Sequence, residues 1–159
     1  RSAALTLRSD AMIRGFEARD QERVLDIWLT ANLQAHSFIP AHYWRGQLEN
    51  VRPALFQAEV YVWEEGGDLL GFLGLEGDHI AGIFVSPEAQ SRGVGLQLLA
   101  RAKANRDRLT LCVYQKNVRA AAFYRREGFT VLEERTDSPS GEGEALMCWV
   151  RSDREEPLC

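Results

Sequence analysis

The segment Gln90-Ser91-Arg92-Gly93-Val94-Gly95 lies between a strand-like run at 79–85 and an amphipathic helix predicted from about Val94 to Lys103. This succession of strand, glycine turn and helix constrains the fold more than any other stretch of the chain. Glycine lets a backbone come close to a ligand. The first amides of a helix point outward unpaired, at the positive end of its dipole. Arg92 adds a mobile positive charge at the rim. Such a turn can cradle a pyrophosphate; taken alone, it can equally be a plain connection where glycine serves only geometry. Two phosphate motifs fail here. The pattern G-x-G-x-x-G needs glycine at the position of Leu98, and a P-loop needs Gly-Lys-Ser/Thr where the helix opens Val94-Gly95-Leu96. What remains is Q-x-x-G-x-G.

The periodicity on either side supplies the remaining elements. Ile13-Arg14-Gly15-Phe16 alternates as a short strand, and Val24, Ile27, Trp28 and Ala31 mark one face of a helix. Pro40 opens a second helix carrying Tyr43, Trp44, Leu48 and Val51, which Pro53 is expected to kink or end. Strands follow at 60–63, 69–75 and 79–85, the first two joined by the turn signal Glu64-Glu65-Gly66-Gly67. Beyond the glycine turn and its helix come a strand at 109–114, a helix at 118–126 stopped by Gly128, and strands at 129–134 and 145–150. The order is β-α-α-β-β-β-α-β-α-β-β. Residues 1–11 carry no pattern and read as a tag remnant or extension. Residues 12–150 read as a single domain, and 151–159 as a polar C-terminal tail.

Charge and cysteine usage narrow the function. The chain has 19 Lys+Arg against 23 Asp+Glu, a formal charge of −4. Duplex DNA rewards clustered basic surplus, so no DNA partner is expected. No run approaches the ~20 apolar residues of a membrane helix. Cys112, Cys148 and Cys159 are odd in number and include no C-x-x-C pair. His36 and His42 have no third ligand placed to join them, so no metal is expected, and the location is read as cytoplasmic.

The turn, preceded by Ile83-Phe84-Val85-Ser86-Pro87, resembles the acetyl-CoA motif of the GNAT superfamily of N-acetyltransferases. Asn117-Val118-Arg119-Ala120-Ala121-Ala122-Phe123-Tyr124, followed by Gly128-Phe129, is similar to that family's N-x-x-A-x-x-F-Y-x-x-x-G-F stretch. A narrower resemblance, to small bacterial YiaC-type protein acetyltransferases, runs through 38–45, 62–65 and 113–117. The resemblance covers about 12–150. It implies an α/β (α+β) fold with a mixed, mostly antiparallel central sheet, splayed open between the strands 79–85 and 109–114.

The same resemblance implies residue roles. Phe84 and Val85 offer backbone groups to a pantetheine arm, which adds to the sheet edge like a strand. Gln90, Ser91, Arg92, Gly93, Val94 and Gly95 hold the pyrophosphate, with Leu96 and Gln97 behind them. Asn117 matches a pantetheine contact, and asparagine is also a good helix N-cap. Tyr124 matches the acid that protonates a departing thiolate, or else packs as a helix aromatic. Many members place a glutamate base eleven residues before the motif glutamine; this chain has His79 there. An imidazole can act as a base, shape the acceptor site, or end a turn; Glu76, also expected on the acceptor side, is the second candidate for the base, and ordered water the third. Phe38, on the loop between the first two helices, is expected to face the acceptor, and Trp44 to belong to the core.

The expected activity is acetyl transfer from acetyl-CoA to a primary amine in a ternary complex, with a protein lysine or N-terminus as acceptor. A small-molecule amine (polyamine, amino acid or antibiotic) and a non-catalytic acyl-CoA-binding module are the alternatives. An acidic groove around Glu64, Glu65, Glu76 and Asp78 suits any cationic acceptor. The assembly is expected to be a monomer or homodimer.

Overall fold

The computed structural model describes residues 10–152. Strand β1 (Ala11–Gly15) leads through a short 3-10 turn into α1 (Gln21–Ala35) and α2 (Ala41–Gln57). A meander of β2 (Glu59–Glu65), β3 (Asp68–Glu76) and β4 (His79–Val85) follows. Then come α3 (Val94–Ala104), β5 (Arg108–Tyr114), α4 (Val118–Arg126), β6 (Thr130–Thr136) and β7 (Gly143–Val150). The expected element order holds throughout. Strand β1 begins at Ala11, one residue ahead of Met12.

The seven strands form one sheet in the order β1-β2-β3-β4-β5-β7-β6, antiparallel everywhere except between β4 and β5. That parallel pair is short. Only His79↔Thr110 and Ile80↔Leu111 are in register, after which the two strands diverge. Residues 81–85 therefore present a strand edge that β5 does not cover.

Alternation along the strands sends side chains to two separate cores. Val60, Val62 and Phe72 pack under α1 and α2 with Val24, Ile27, Trp28 and Trp44. Trp63, Leu73 and Leu75 pack on the other face with Leu98 and Leu99 of α3, Tyr124 of α4, and Phe129. Strand β3, next to the middle strand β4, has its seven inner residues buried. Truncating a fully buried leucine such as Leu98 should cost about 2–5 kcal/mol.

Of the two outcomes expected at Pro53, a kink or an end, the second does not occur. Pro53 neither ends α2 nor marks its boundary, since the helix runs on to Gln57. The ring sits on the exposed side, where water can satisfy the carbonyl it leaves without a donor, while Leu55 anchors the next turn in the core.

Candidate active site

The divergence of β4 from β5 opens a cleft of about 280 Å³. One wall is β4 itself, at Ala81, Gly82, Ile83 and Phe84; the other combines β5 (Cys112, Val113, Tyr114) with Asn117, Ala120 and Tyr124 of α4 and its cap. Trp28, Asn32, His36 and Trp44 close it from the α1–α2 side, and Glu144 of β7 reaches in beside Tyr114, its cross-strand partner. Gly82 makes room for the ring of Phe84, which folds back over it and stacks on Phe72 at 5.0 Å.

The glycine turn follows β4 after a short 3-10 turn (Pro87–Ala89) and leads into α3. Gly93 caps α3 with φ 87°, and Ser91 also takes a left-handed φ of 65°. A β-carbon is poorly tolerated at such angles, so Gly93 serves turn geometry as well as close approach. Gln90 turns inward and donates to the Val85 carbonyl at 3.2 Å, bracing the end of β4. Arg92 is not the mobile charge expected. Its guanidinium is 2.6 Å from Glu65, a carboxylate only 5 % exposed at the end of β2. A buried acid needs a partner, and this need fixes the arginine. A residue that the sequence reading missed points here instead: Arg119 of α4 donates to Ser91 Oγ at 3.1 Å. Its only sequence signal was its place inside the Asn117–Tyr124 stretch.

Asn117 caps α4, accepting the Ala120 amide on its side chain at 3.2 Å, and it also lines the cleft. Tyr124 is buried in the same wall, packed against Phe123 and Phe129, and burial pushes its phenol well above the ordinary value. It stays protonated across the physiological range.

His79 is elsewhere. It pairs with Thr110 at the closed end of the splay, its Nδ1 2.8 Å from the Thr110 hydroxyl, and it does not line the cleft. At about 3.3 Å per strand residue it lies roughly 16 Å along β4 from Phe84. Burial lowers its affinity for a proton. Glu76, its cross-strand partner, is exposed at that same remote end. The expected acidic groove does not form among the described residues, because Glu65 of β2 pairs beside Asp68 at the start of β3 while Glu76 stands at its far end. Glu64 instead holds Arg14 at 2.7 Å.

The carboxylate inside the cleft is Glu144, held by Arg135 at 2.8 Å and with its side chain 14 % exposed. The same lining carries an aromatic cluster. His36 stacks on Trp44 at 5.3 Å and meets Tyr114 edge-on at 5.0 Å, and Phe38 lies 5.8 Å from Tyr114. Phe38 thus flanks the cluster, with the ammonium of Lys116 5.6 Å above its ring. Trp44 is both core, as expected, and cleft wall. Burial raises Tyr114 to about 12 and drops His36 to about 4.

These residues fit acetyl-CoA. The free edge of β4 matches an extended amide chain, the α3 N-terminus with Arg119 suits a pyrophosphate, and the cleft between Phe84 and Tyr124 can enclose a small thioester. No helix among the described residues is long and apolar enough to cross a membrane.

Comparison with known proteins agrees. The profile described as an acetyltransferase (GNAT) domain matches residues 57–131. The chain is 40% identical over 124 residues to the peptidyl-lysine N-acetyltransferase YiaC of Escherichia coli (strain K12), covering 77% of this chain and 85% of that one. It is 33% identical over 121 residues to the peptidyl-lysine N-acetyltransferase YjaB of the same organism, covering 75% and 82%. The solution structure of apo-form YjaB from Escherichia coli superposes with a TM-score of 0.79 at 27% identity, over 89% of this chain and 99% of that one. The PaiA N-acetyltransferase from Thermoplasma acidophilum, solved in complex with coenzyme A, shares the fold with a TM-score of 0.74 at 18% identity, over 88% and 98%. The chain belongs to the GNAT family and is an acetyl-CoA-dependent N-acetyltransferase.

Proposed function

We propose that this enzyme acetylates lysine side chains of proteins by direct transfer within the β4–β5 cleft. The observation that carries the reading is the cleft itself, where an uncovered strand edge, a buried phenol, a carboxylate and an aromatic cluster converge. The lysine acceptor is supported by 40% identity to a protein named peptidyl-lysine N-acetyltransferase. We also assign a cytoplasmic setting, because acetyl-CoA is an intracellular metabolite.

Acetyl-CoA supplies an activated acetyl thioester. The backbone of Phe84 and Val85 aligns its pantetheine arm. The turn from Gln90 to Gly95, backed by Leu96, Gln97 and Arg119, holds the pyrophosphate. On the acceptor side Glu144 attracts the lysine ammonium, and the rings of Trp44, Tyr114 and Phe38 flank its stem. An ammonium with a pKa of about 10.4 must lose a proton before it attacks. Glu144, held in place by Arg135, orients the amine while the proton leaves to water. Tyr124 then donates its proton to the departing thiolate.

The test is acceptor competition. Lysine-containing peptides, N-terminally free peptides lacking lysine, and polyamines are supplied in turn with acetyl-CoA, and kcat/KM is compared. Lysine peptides should be preferred, with modification on Nζ. A preference for polyamines would replace the protein acceptor with a small amine, and turnover of none would favour an acyl-CoA-binding module.

A further inference from the structure

Helix α1 and its C-terminal cap carry Trp28, Asn32 and His36 at intervals of four, and all three line the cleft. Asn32 is 3 % exposed, and its orientation is fixed by its own backbone neighbourhood. Its Nδ2 donates to the Trp28 carbonyl at 2.9 Å, which leaves Oδ1 2.9 Å from His36 Nδ1. Across the cleft Asn117 is fixed the same way. Its Oδ1 accepts the Ala120 amide, which leaves Nδ2 3.0 Å from His36 Nε2.

These two asparagines dictate the state of the ring between them. An amide nitrogen has no lone pair to offer, so Nε2 must accept; an amide oxygen has no hydrogen, so Nδ1 must donate. Only the neutral imidazole with its proton on Nδ1 satisfies both. The ring cannot swing away, being stacked on Trp44 and met by Tyr114 and Phe38. One hydrogen of the Asn117 amide is thereby committed to His36, while its second has no partner among the described residues.

We propose that His36 is a positioning residue for acetyl transfer: by taking one amide hydrogen of Asn117, it turns the other into the cleft as a donor to the thioester end of the co-substrate. The inference rests on reading the cleft as the site of acetyl transfer. It gives the acceptor-side helix α1 a direct bond to the cofactor-side cap of α4, across the splay. Asn117 then serves α4 through its oxygen and the reaction through its nitrogen.

The experiment has two arms on the full chain. The first is the 15N spectrum of the labelled histidines at neutral pH, which should show His36 protonated on Nδ1 and bare on Nε2. The opposite tautomer overturns the proposal whether or not a peptide acceptor has been found. The second arm compares His36→Phe, His36→Gln, Asn117→Ala and the His36→Phe/Asn117→Ala pair, with melting temperature as the check on folding. Phenylalanine keeps the stacking and loses the acceptor, so kcat should fall about 10-fold with KM for the acceptor little changed. Glutamine can take the hydrogen on its amide oxygen and should recover most of the rate. The double variant should be no slower than Asn117→Ala alone. Additive losses, or glutamine as slow as phenylalanine, contradict the proposal. If His36→Phe does not fold, the glutamine variant and the spectrum decide. Failure of the wild-type chain to modify any peptide would instead contradict the acceptor assigned above.

Discussion

Arg92 Nη2 lies 2.6 Å from Glu65 Oε2, so the end of the β2–β3 hairpin holds the glycine turn in place. Trp63 Nε1 donates to the other oxygen of the same carboxylate at 3.2 Å. A turn that must present backbone amides to an anion gains from being fixed in advance, because ordering it on binding would cost affinity.

Arg92→Ala should therefore weaken the fold as well as the turn. It strips a charged partner from a buried carboxylate, at a cost on the order of 1–3 kcal/mol. Adding Glu65→Gln in the same chain should restore much of that loss. Chemical denaturation of the single and double variants checks this; an Arg92→Ala chain as stable as the wild type would contradict it.

Tyr124→Phe should lower kcat about 10²-fold or more while leaving acetyl-CoA binding intact. Burial raises the phenol's pKa, so its protonated form persists beyond the ordinary value of about 10. The rate should accordingly show no alkaline downturn from this group below that pH. A profile falling between pH 7 and 9 in the wild type, and flat in Tyr124→Phe, would contradict the assignment.

His36 makes stability depend on pH. Its folded pKa is lowered to about 4, against about 6.5 when unfolded. Between these values the unfolded chain binds the extra proton, so stability declines as pH falls through that window and the decline ends near pH 4. Denaturation midpoints from pH 7 to 4 should fall less steeply in His36→Phe. Equal slopes would mean that the ring is protonated as readily folded as unfolded.

Asp20 works from the other side. Arg14 grips it with two nitrogens, at 2.9 and 3.0 Å, and Glu17 adds a backbone bond at 2.8 Å. The Arg14 bond is the main cause of its lowered pKa. A depressed carboxylate contributes its stability above the unfolded pKa of about 3.9 and loses it as pH falls through the folded value. Asp20→Asn should thus be destabilised at pH 7, with the gap to the wild type closing in strong acid. A gap independent of pH would point to shape and not charge.

The order of strands and helices was legible because each element carries its own period and its own turn signal, as at Gly66-Gly67 and Gly128. The splay was implied only by family resemblance; nothing in the two strands themselves announces it. That α2 continues past Pro53 was not legible, because sequence does not say which side of a helix faces water. The place of His79 was not legible either: a position counted along the chain from Gln90 says nothing about which end of β4 opens. Arg92 and Glu65 lie 27 residues apart, and no local pattern links them. The spacing of Trp28, Asn32 and His36 was visible, and a polar residue on that apolar face was the clue. Their link to Asn117 spans 81 residues and needed the fold.

The turn from Gln90 to Gly95 and the free edge of β4 are the proposed seat of acetyl-CoA. The most direct measurement is the melting temperature with saturating acetyl-CoA, with ADP as control, in the wild type and in Gly93→Ala. Ligand at a hundred times its dissociation constant should add about 2.7 kcal/mol. A shift of several degrees with acetyl-CoA should therefore appear, small with ADP and reduced in Gly93→Ala, whose new side chain is strained at φ 87°. Equal shifts with both ligands, or the same acetyl-CoA shift in Gly93→Ala, would contradict the account.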